Sequence, residues 1–328
     1  MADVAKLAGV SHQTVSRVLN ANPQVRPQTR QRVLDAMREL DYRPNSAART
    51  LVTGRSRTLG VVSFDTTLYG PASTLFGIER AAHEAGYFIT IMSLRALDRT
   101  SVLSAVERLR EQGVDGILVI APQEATAEGL VDFPTAVPLV AVEGGVAGSV
   151  PLVEVDQVAG AALATRHLLD RGHRTVWHLG GPTGWLEAMQ RVEGWRSTLR
   201  AAGAPVHPPL VGDWSPRSGY ALGQRLAEDP EITAVFVGND QMALGFIRAL
   251  HESGREIPRQ ISLVGFDDIP EAQFFTPPLT TIRQDFSEVG RRSLCLLLDV
   301  MAAGGARATP HVMVMPELVV RRSTAAPA

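Results

Sequence analysis

The sequence predicts an α/β protein in two parts: a small three-helix head, then a larger body with two α/β lobes. Three observations predict it. From residue 58 onward, short apolar runs alternate with helical stretches, and they do so in two successive sets. Ahead of them lie three segments with helical periodicity, the first two separated by a glycine. The charge is also divided unevenly. Residues 1–58 carry ten basic and four acidic side chains, a net charge of +6, which leaves −8 on the rest of a chain whose total is −2. A basic head on an acidic body is drawn to polyanions, nucleic acid first among them; the alternative is an arginine-rich surface with no partner.

In the head, residues 3–8 set Val4, Leu7 and Ala8 on one helical face, and Gly9 breaks the pattern. Ser11 offers its hydroxyl as a cap for the next helix. Residues 12–20 place Val15, Val18 and Leu19 inward at i, i+3 and i+4, which turns His12, Gln13, Ser16 and Arg17 outward. Two short helices joined by a glycine turn make a helix-turn-helix, whose second helix enters the DNA major groove. Arg17 suits the paired acceptors of guanine, and Gln13 suits adenine. A third helix after Pro27, with Val33, Leu34, Met37 and Leu40 as its core face, closes the unit. Between Asn45, a cap, and Gly54, a stop, lie about two turns of helix, too few to hold in water without packing. Two readings stand for this segment. It is a hinge that folds when clamped on DNA, with Leu51 exposed to wedge between base pairs from the minor groove, or a linker helix with Leu51 buried against its own domain.

In the body, strands are expected at Leu59–Phe64, Tyr87–Met92, Gly116–Ile120 and Leu139–Val142, with helices near 71–86, 99–112 and 123–132. A second set follows at Thr175–Leu179, Ala234–Val237 and Ile261–Val264, with helices near 157–171, 186–202, 216–228 and 240–253. Such alternation builds parallel sheets covered by helices on both faces. Ligands of open α/β sheets sit at the C-terminal strand ends, and two lobes can bring those ends together across a cleft. Polar residues gather there: Glu143, Asn239-Asp240 and Asp267-Asp268 end strands, Arg191 follows Gly180-Gly181-Pro182, and Trp214 follows Gly212-Asp213. Donors and acceptors in pairs with one aromatic plane suit a sugar, whose adjacent hydroxyls fork between polar groups while an indole covers its C–H face. Each also has a structural reading: the aspartates as caps, Trp214 as core, Arg191 as surface charge. Their shared placement favours a ligand.

Several chemistries are excluded. Lys6 is the only lysine, so neither a phosphate-loop lysine nor a spare Schiff-base lysine exists. Cys295 is the only cysteine, on the apolar face of a helix at 287–302 with Leu294 and Leu298, and is expected to be a buried, inert thiol. His173 and His178 are five apart with no third ligand nearby. Adjacent Asp267 and Asp268 on a strand point opposite ways, unsuited to the two carboxyls of a glycosidase. No enzyme activity, cofactor or metal is expected. No apolar run approaches the ~20 residues of a membrane span, and no signal peptide opens the chain, so a cytoplasmic protein is expected.

A-G-V-S-x-x-T-V-S-R-V-L-N at 8–20, then Tyr42-x-Pro44-Asn45 and A-R-T-L at 48–51, resembles the LacI/GalR family of bacterial regulators. G-D-W-S-x-x-S-G at 212–219, N-D-Q-M-A-L-G at 239–245, G-F-D-D at 265–268 and P-P-L-T-T-I-R-Q-D-F at 277–286 look most like the lactose repressor branch of that family. The resemblance implies a helix-turn-helix domain over 1–44, a hinge helix and linker over 45–57, and a periplasmic-binding-protein-like effector and dimerisation domain over 58–323. Its lobes would comprise about 58–155 with 286–313, and about 156–283 with 314–323. It implies that His12, Gln13 and Arg17 read bases, that Thr14, Ser16 and Asn20 support the helix or touch phosphates, and that Leu51 inserts into the operator; Ser11 and Asn45 belong to the same DNA-facing set. For the effector it implies Arg191, Asn239 and Asp267 at hydroxyls, Trp214 stacked on the sugar, Leu68 and Pro71 at an apolar edge, and Gln284 and Phe286 at a crossover between lobes. Glu143 stands where that branch has an aspartate, and Glu187 and Met189 also depart from its pattern. No leucine heptads follow Leu318-Val319-Val320, so a homodimer is expected rather than a tetramer. The function so implied is a repressor of sugar-utilisation genes, released from a pseudo-palindromic operator by a sugar. A purine-responsive regulator of the same family is the competing reading, and a sugar-binding protein or glycosidase a further one.

Overall fold

The computed structural model describes the chain except residues 20–21, 43–53, 65, 95–97, 121, 125–126, 128–129, 131–136, 145–149, 304–308 and 328. Two compact units result, Met1–Ser56 and Arg57–Ala328.

The first unit holds α1 (Ala2–Ala8), α2 (His12–Leu19) and α3 (Pro27–Glu39). Gly9 ends α1 in the left-handed region at φ 63°, where glycine carries no Cβ penalty. Ser11 Oγ accepts from the Thr14 N–H at 3.2 Å and so caps α2. The core is Val4, Ala5, Ala8, Val15, Val18, Val33 and Ala36. Three residues expected on core faces are not there: Leu7, Leu34 and Leu40 are 46%, 41% and 43% exposed. The centre is filled by Ala5 and Ala36 instead, small side chains that let the helices approach closely.

The second unit contains two six-stranded sheets. The first is built from β1 (Thr58–Phe64), β2 (Phe88–Leu94), β3 (Gly116–Ile120), β4 (Leu139–Val142), β5 (Leu152–Val155) and β11 (His311–Val314). Its order is β11-β5-β4-β3-β1-β2, parallel throughout. Against it pack α4 (Tyr69–Glu84), α5 (Arg99–Glu111) and α10 (Phe286–Ala302). Period-two alternation sends Leu59, Val61, Leu118 and Ile120 to one face and Val62, Ile117 and Val119 to the other. The second sheet joins β6 (Trp177–Gly180), β7 (Leu210–Val211), β8 (Ala234–Val237), β9 (Ser262–Asp267), β10 (Thr280–Arg283) and β12 (Glu317–Val319), in the order β12-β10-β9-β8-β6-β7. Only β12 runs antiparallel. Its helices are α6 (Gln157–Asp170), α7 (Leu186–Ala201), α8 (Pro216–Ala227) and α9 (Asp240–Glu252). Val235 and Val237 feed one core, Phe236 and Phe266 the other.

The chain crosses between the lobes after β5, between β10 and α10, and between β11 and β12. The lobes touch above the strand ends. The Leu186 N–H donates to Pro122 O at 2.9 Å and the Glu124 N–H to Gly184 O at 3.1 Å; Phe64, Leu68 and Tyr69 pack against the core of the second lobe.

Four strands went unforeseen: β7 is two residues long, and β5, β10 and β11, at four residues, carry Glu154, then Thr280, Thr281 and Arg283, then His311, in place of an unbroken apolar run. The helix expected near 123–132 lies largely outside the described residues. Cys295 is exposed, not buried. The buried stripe of α10 runs through Val289, Gly290, Ser293, Leu294 and Leu297, and 295 stands one residue, about 100°, beyond Leu294. The helices α8 and α9 meet backbone to backbone: a Cβ on Gly245 would lie 1.8 Å from Pro216 O, and one on Gly219 would lie 2.0 Å from Met242 O. Gly245→Ala is therefore expected to destabilise the body by about 3 kcal/mol, read as a lower urea midpoint of tryptophan fluorescence; an unchanged midpoint would contradict the contact.

Candidate functional site

Each unit presents one candidate surface. In the head, the caps and the apolar positions 15 and 18 fix the roll of α2 and leave His12, Gln13 and Arg17 exposed, with Thr14 and Ser16 half-buried beside them. Ser11 also bonds the Thr14 hydroxyl at 3.0 Å. Asn20, Asn45 and Leu51 lie outside the described residues.

In the body, a cavity of about 260 Å³ opens between the strand ends of the two lobes, lined by Leu68, Tyr69, Pro71, Trp185, Glu187, Arg191, Asp213, Trp214, Asn239, Asp267 and Gln284 among others. Seven residues named from the sequence stand on this wall: Leu68, Pro71, Arg191, Trp214, Asn239, Asp267 and Gln284. Two do not. Phe286 borders a neighbouring groove with Arg283 and Ser287, its ring edge-on to Tyr69 with centroids 5.8 Å apart. Glu143 lies behind the wall. Tyr69, Trp185 and Asp213 were not singled out; their signal is position alone, in the loops after strands.

Backbone strain concentrates here. Of the non-glycine residues at positive φ among those described, Glu143 (53°), Trp214 (70°), Asp267 (109°) and Asp268 (51°) all end strands or lie in loops at the cleft. Such conformations persist only where neighbours over-determine them, which is characteristic of functional sites.

Arg191 is the centre of the site. It is 2% exposed, and its guanidinium lies 3.9 Å from the Phe266 ring centre and 5.4 Å from that of Trp214. Its Nε donates to Gln157 Oε1 at 2.9 Å and its Nη1 to Gly238 O. Its Nη2 stands 3.7 Å from Glu187 and 3.8 Å from Asp267. Gln157 Nε2 donates to Gln284 Oε1 at 2.8 Å, and Gln284 Nε2 donates to Asp267 Oδ1 at 2.7 Å. Arginine can only donate and a carboxylate can only accept, so the two amides between them are locked head to tail.

The indole of Trp214 lies flat on Gly181, where a Cβ would meet its ring at 2.1 Å. Trp185 meets it edge-on at 75°. The Trp214 Nε1 is buried and has no partner among the described residues. Asn239 splits its amide: Oδ1 caps α9 by accepting from the Met242 N–H, and Nδ2 donates to Trp214 O at 3.2 Å. Asp240 turns inward, accepting from Thr281 Oγ1 at 2.7 Å and the Ile269 N–H at 3.0 Å. Burial drives the carboxyls upward: Asp267 to about 6, with Arg191 and Gln284 opposing, and Glu187 to about 7, with Arg191 opposing and Asp267 adding to the rise. Glu143 is raised by burial and then by Glu187; among the described residues one of its oxygens has no partner, and the other accepts only a 3.4 Å bond from the Val155 N–H. Among the described residues no cluster of three or more His, Cys, Asp or Glu could hold a metal.

Residues 1–45 match the bacterial regulatory proteins of the lacI family, and residues 165–324 match a periplasmic binding protein-like domain. Over 330 residues, 98% of this chain and 97% of the relative, the chain is 33% identical to the HTH-type transcriptional repressor PurR of Haemophilus influenzae (strain PittEE). The chain belongs to the LacI family. It is also 34% identical to the ribose operon repressor of Escherichia coli (strain K12) over 304 residues, 91% of this chain and 92% of that one. Among solved structures, the Lac repressor dimer bound to operator and the anti-inducer ONPF matches with a TM-score of 0.86 at 32% identity, covering 99% of this chain and 98% of that one. The complex of the transcriptional regulator CelR with cellobiose matches with a TM-score of 0.73 at 30% identity, covering 98% of each chain. This member of the LacI family is accordingly a transcriptional repressor, not an enzyme.

The raised carboxyls carry a stability consequence. A carboxyl whose folded value exceeds its unfolded one lets the folded state hold the extra proton. That stability is complete below about pH 4 and is lost as pH rises through 6 and 7. Glu187→Gln and Asp267→Asn should each flatten the decline of the urea midpoint between pH 4.5 and 7.5, for Glu187 by about 2 kcal/mol.

Proposed function

We propose that this repressor binds a pseudo-palindromic operator as a homodimer, through the outer face of α2, and that a sugar or glycoside in the interlobe cavity releases it. The cavity wall carries the sugar reading: the largely buried indole of Trp214 lines it beside the carboxyls of Asp267 and Glu187 and the buried Arg191. An indole covers the C–H face of a pyranose, and carboxylates accept from its hydroxyls. The identity with PurR favours a purine ligand as the second reading. Against it stands the right-angle arrangement of Trp185 and Trp214, which offers no parallel pair of planes to sandwich a flat base. Calorimetry with monosaccharides, simple glycosides and purine bases decides between them; tight purine binding with no sugar binding would overturn the first reading.

For DNA, His12, Gln13 and Arg17 are proposed to meet base edges and Ser11, Thr14 and Ser16 the adjoining phosphates, with Asn20, Asn45 and Leu51 completing the contact. The basic head supports this, and affinity should fall steeply with salt. Arg17→Ala is expected to weaken binding to an operator selected from random sequence by about 1–3 kcal/mol and to relax the preference at one base pair. Uniform weakening across sequences would reduce Arg17 to a phosphate contact. Sugar binding coupled to operator binding by about 1–3 kcal/mol shifts affinity roughly 5–150-fold.

For the dimer, β2 is an edge strand whose Phe88 is 73% exposed, with Ile91 beside it, Phe76 on α4 and Phe274 in the second lobe also exposed. An apolar edge of this kind invites a second chain, and a second copy is the occupant that two-fold operator symmetry requires. Phe88→Asp should shift the protein from dimer to monomer in analytical ultracentrifugation and reduce operator affinity with it.

A further inference from the structure

We propose that Glu187 restricts the cavity to uncharged, hydroxyl-rich ligands, refusing sugars that carry a phosphate or a uronic carboxylate. The inference rests on the reading of the cavity as a sugar site and adds the charge of its ligand.

The charges on the wall do not balance. Among the described lining residues Glu187, Asp213 and Asp267 are acids and Arg191 is the only cation. The charge of that cation is already balanced. Its Nε donates to Gln157 and its Nη1 to Gly238, Phe266 covers its flat face, and its Nη2 stands 3.7 and 3.8 Å from the carboxyls of Glu187 and Asp267. An anion entering the cavity would meet a guanidinium whose charge two carboxyls already offset.

Glu187 is what tips the balance. It sits in the first turn of α7, four residues before Arg191, with its carboxyl largely buried on the cavity wall. Behind it, at the end of β4, Glu143 is raised by burial and then by the charge of Glu187, and its Oε1 takes no bond from the described residues. Glu154 on β5 and Asp267 at the end of β9 add further negative charge, and Arg191 alone opposes them. Burial already drives Glu187 and Asp267 upward, and a further negative charge beside them would add to the cost of ionising them.

The hydrogen-bonding groups left open favour hydroxyls. Asp267 Oδ2 and Glu187 Oε1 take no bond from the described residues, while Trp214 Nε1 is a buried donor without an acceptor. A hydroxyl donates to such carboxyl oxygens. A phosphate dianion or a carboxylate only accepts, and an ionised Glu187 or Asp267 offers it no donor.

The test is calorimetric titration of the full-length protein with methyl β-glucopyranoside and methyl β-galactopyranoside, each beside its 6-phosphate and its uronic acid counterpart. The expected result is binding of a neutral glycoside with its anionic counterparts at least about 30-fold weaker, as a like charge in a desolvated site demands. In Glu187→Gln that ratio should shrink about tenfold, with a thermal melt confirming the fold; Glu187→Ser is the second variant should the first not fold. Equal binding of neutral and anionic sugars by the unsubstituted protein, or a ratio unchanged in a folded Glu187 variant, would overturn charge selection and leave the sugar reading standing. Binding of no sugar in either charge state would overturn both.

Discussion

A buried guanidinium organises this body. Removing a charge from water is costly unless partners replace the solvent on every side, and Arg191 is given them all. Phe266 covers one face, Gln157 and Gly238 take donors, and Glu187 and Asp267 supply opposite charge. The five partners come from four elements: α6, the loop after β8, the start of α7, and the end of β9, which supplies both Phe266 and Asp267. Removing the cation would leave two carboxyls facing each other with only amides between them.

The same charge fixes how the lobes are joined. Gln157 opens the second lobe directly after the first crossover, and Gln284 lies in the second crossover. The chain from Arg191 through both amides to Asp267 ties these two linkers together inside the protein. Its direction is set by its ends, since neither amide can reverse without placing donor against donor. A ligand that takes hold of Asp267 or Arg191 therefore acts on two of the three strands of chain about which the lobes must turn, with no long pathway to invoke.

How much of this was legible in the sequence depends on length and on neighbours. The two parallel sheets were legible, because β3, β4 and β8 are buried on both faces and read as unbroken apolar runs. The wall positions of Arg191, Trp214 and Asp267 were legible because strand ends in such sheets face the cleft. The short strands β7 and β10 were not: two residues make no run, and the threonines and arginine of β10 break the apolar run that marks β4 and β8 at the same length. Leu34 and Leu40 followed the helical pattern and are nonetheless exposed. A periodicity names a face, but only packing decides whether alanines at the centre displace leucines at the rim. Glu143 marks the limit at the site itself: the strand end was right, but its side chain turned behind the wall, and sequence carries no rotamer.

Strain closes the argument about why the site holds its shape without a ligand. Left-handed backbone at Glu143, Trp214, Asp267 and Asp268 costs on the order of 1–3 kcal/mol at each residue, and no residue there is a glycine that would avoid it. The geometry is kept because the side chains are pinned. Asp268 accepts from Arg283 at 2.8 Å and from Arg321 at 2.6 Å, Asp267 from Gln284, and Trp214 rests on Gly181 with its carbonyl held by Asn239. Glycine at these positions would relax the backbone but surrender the carboxyls and the indole. The strain is thus inseparable from having functional side chains at strand ends that turn into a cleft; it is offset at Asp268 by ion pairs to Arg283 and Arg321 off the cavity wall, and at Asp267 and Trp214 by bonds to wall residues that a ligand would meet.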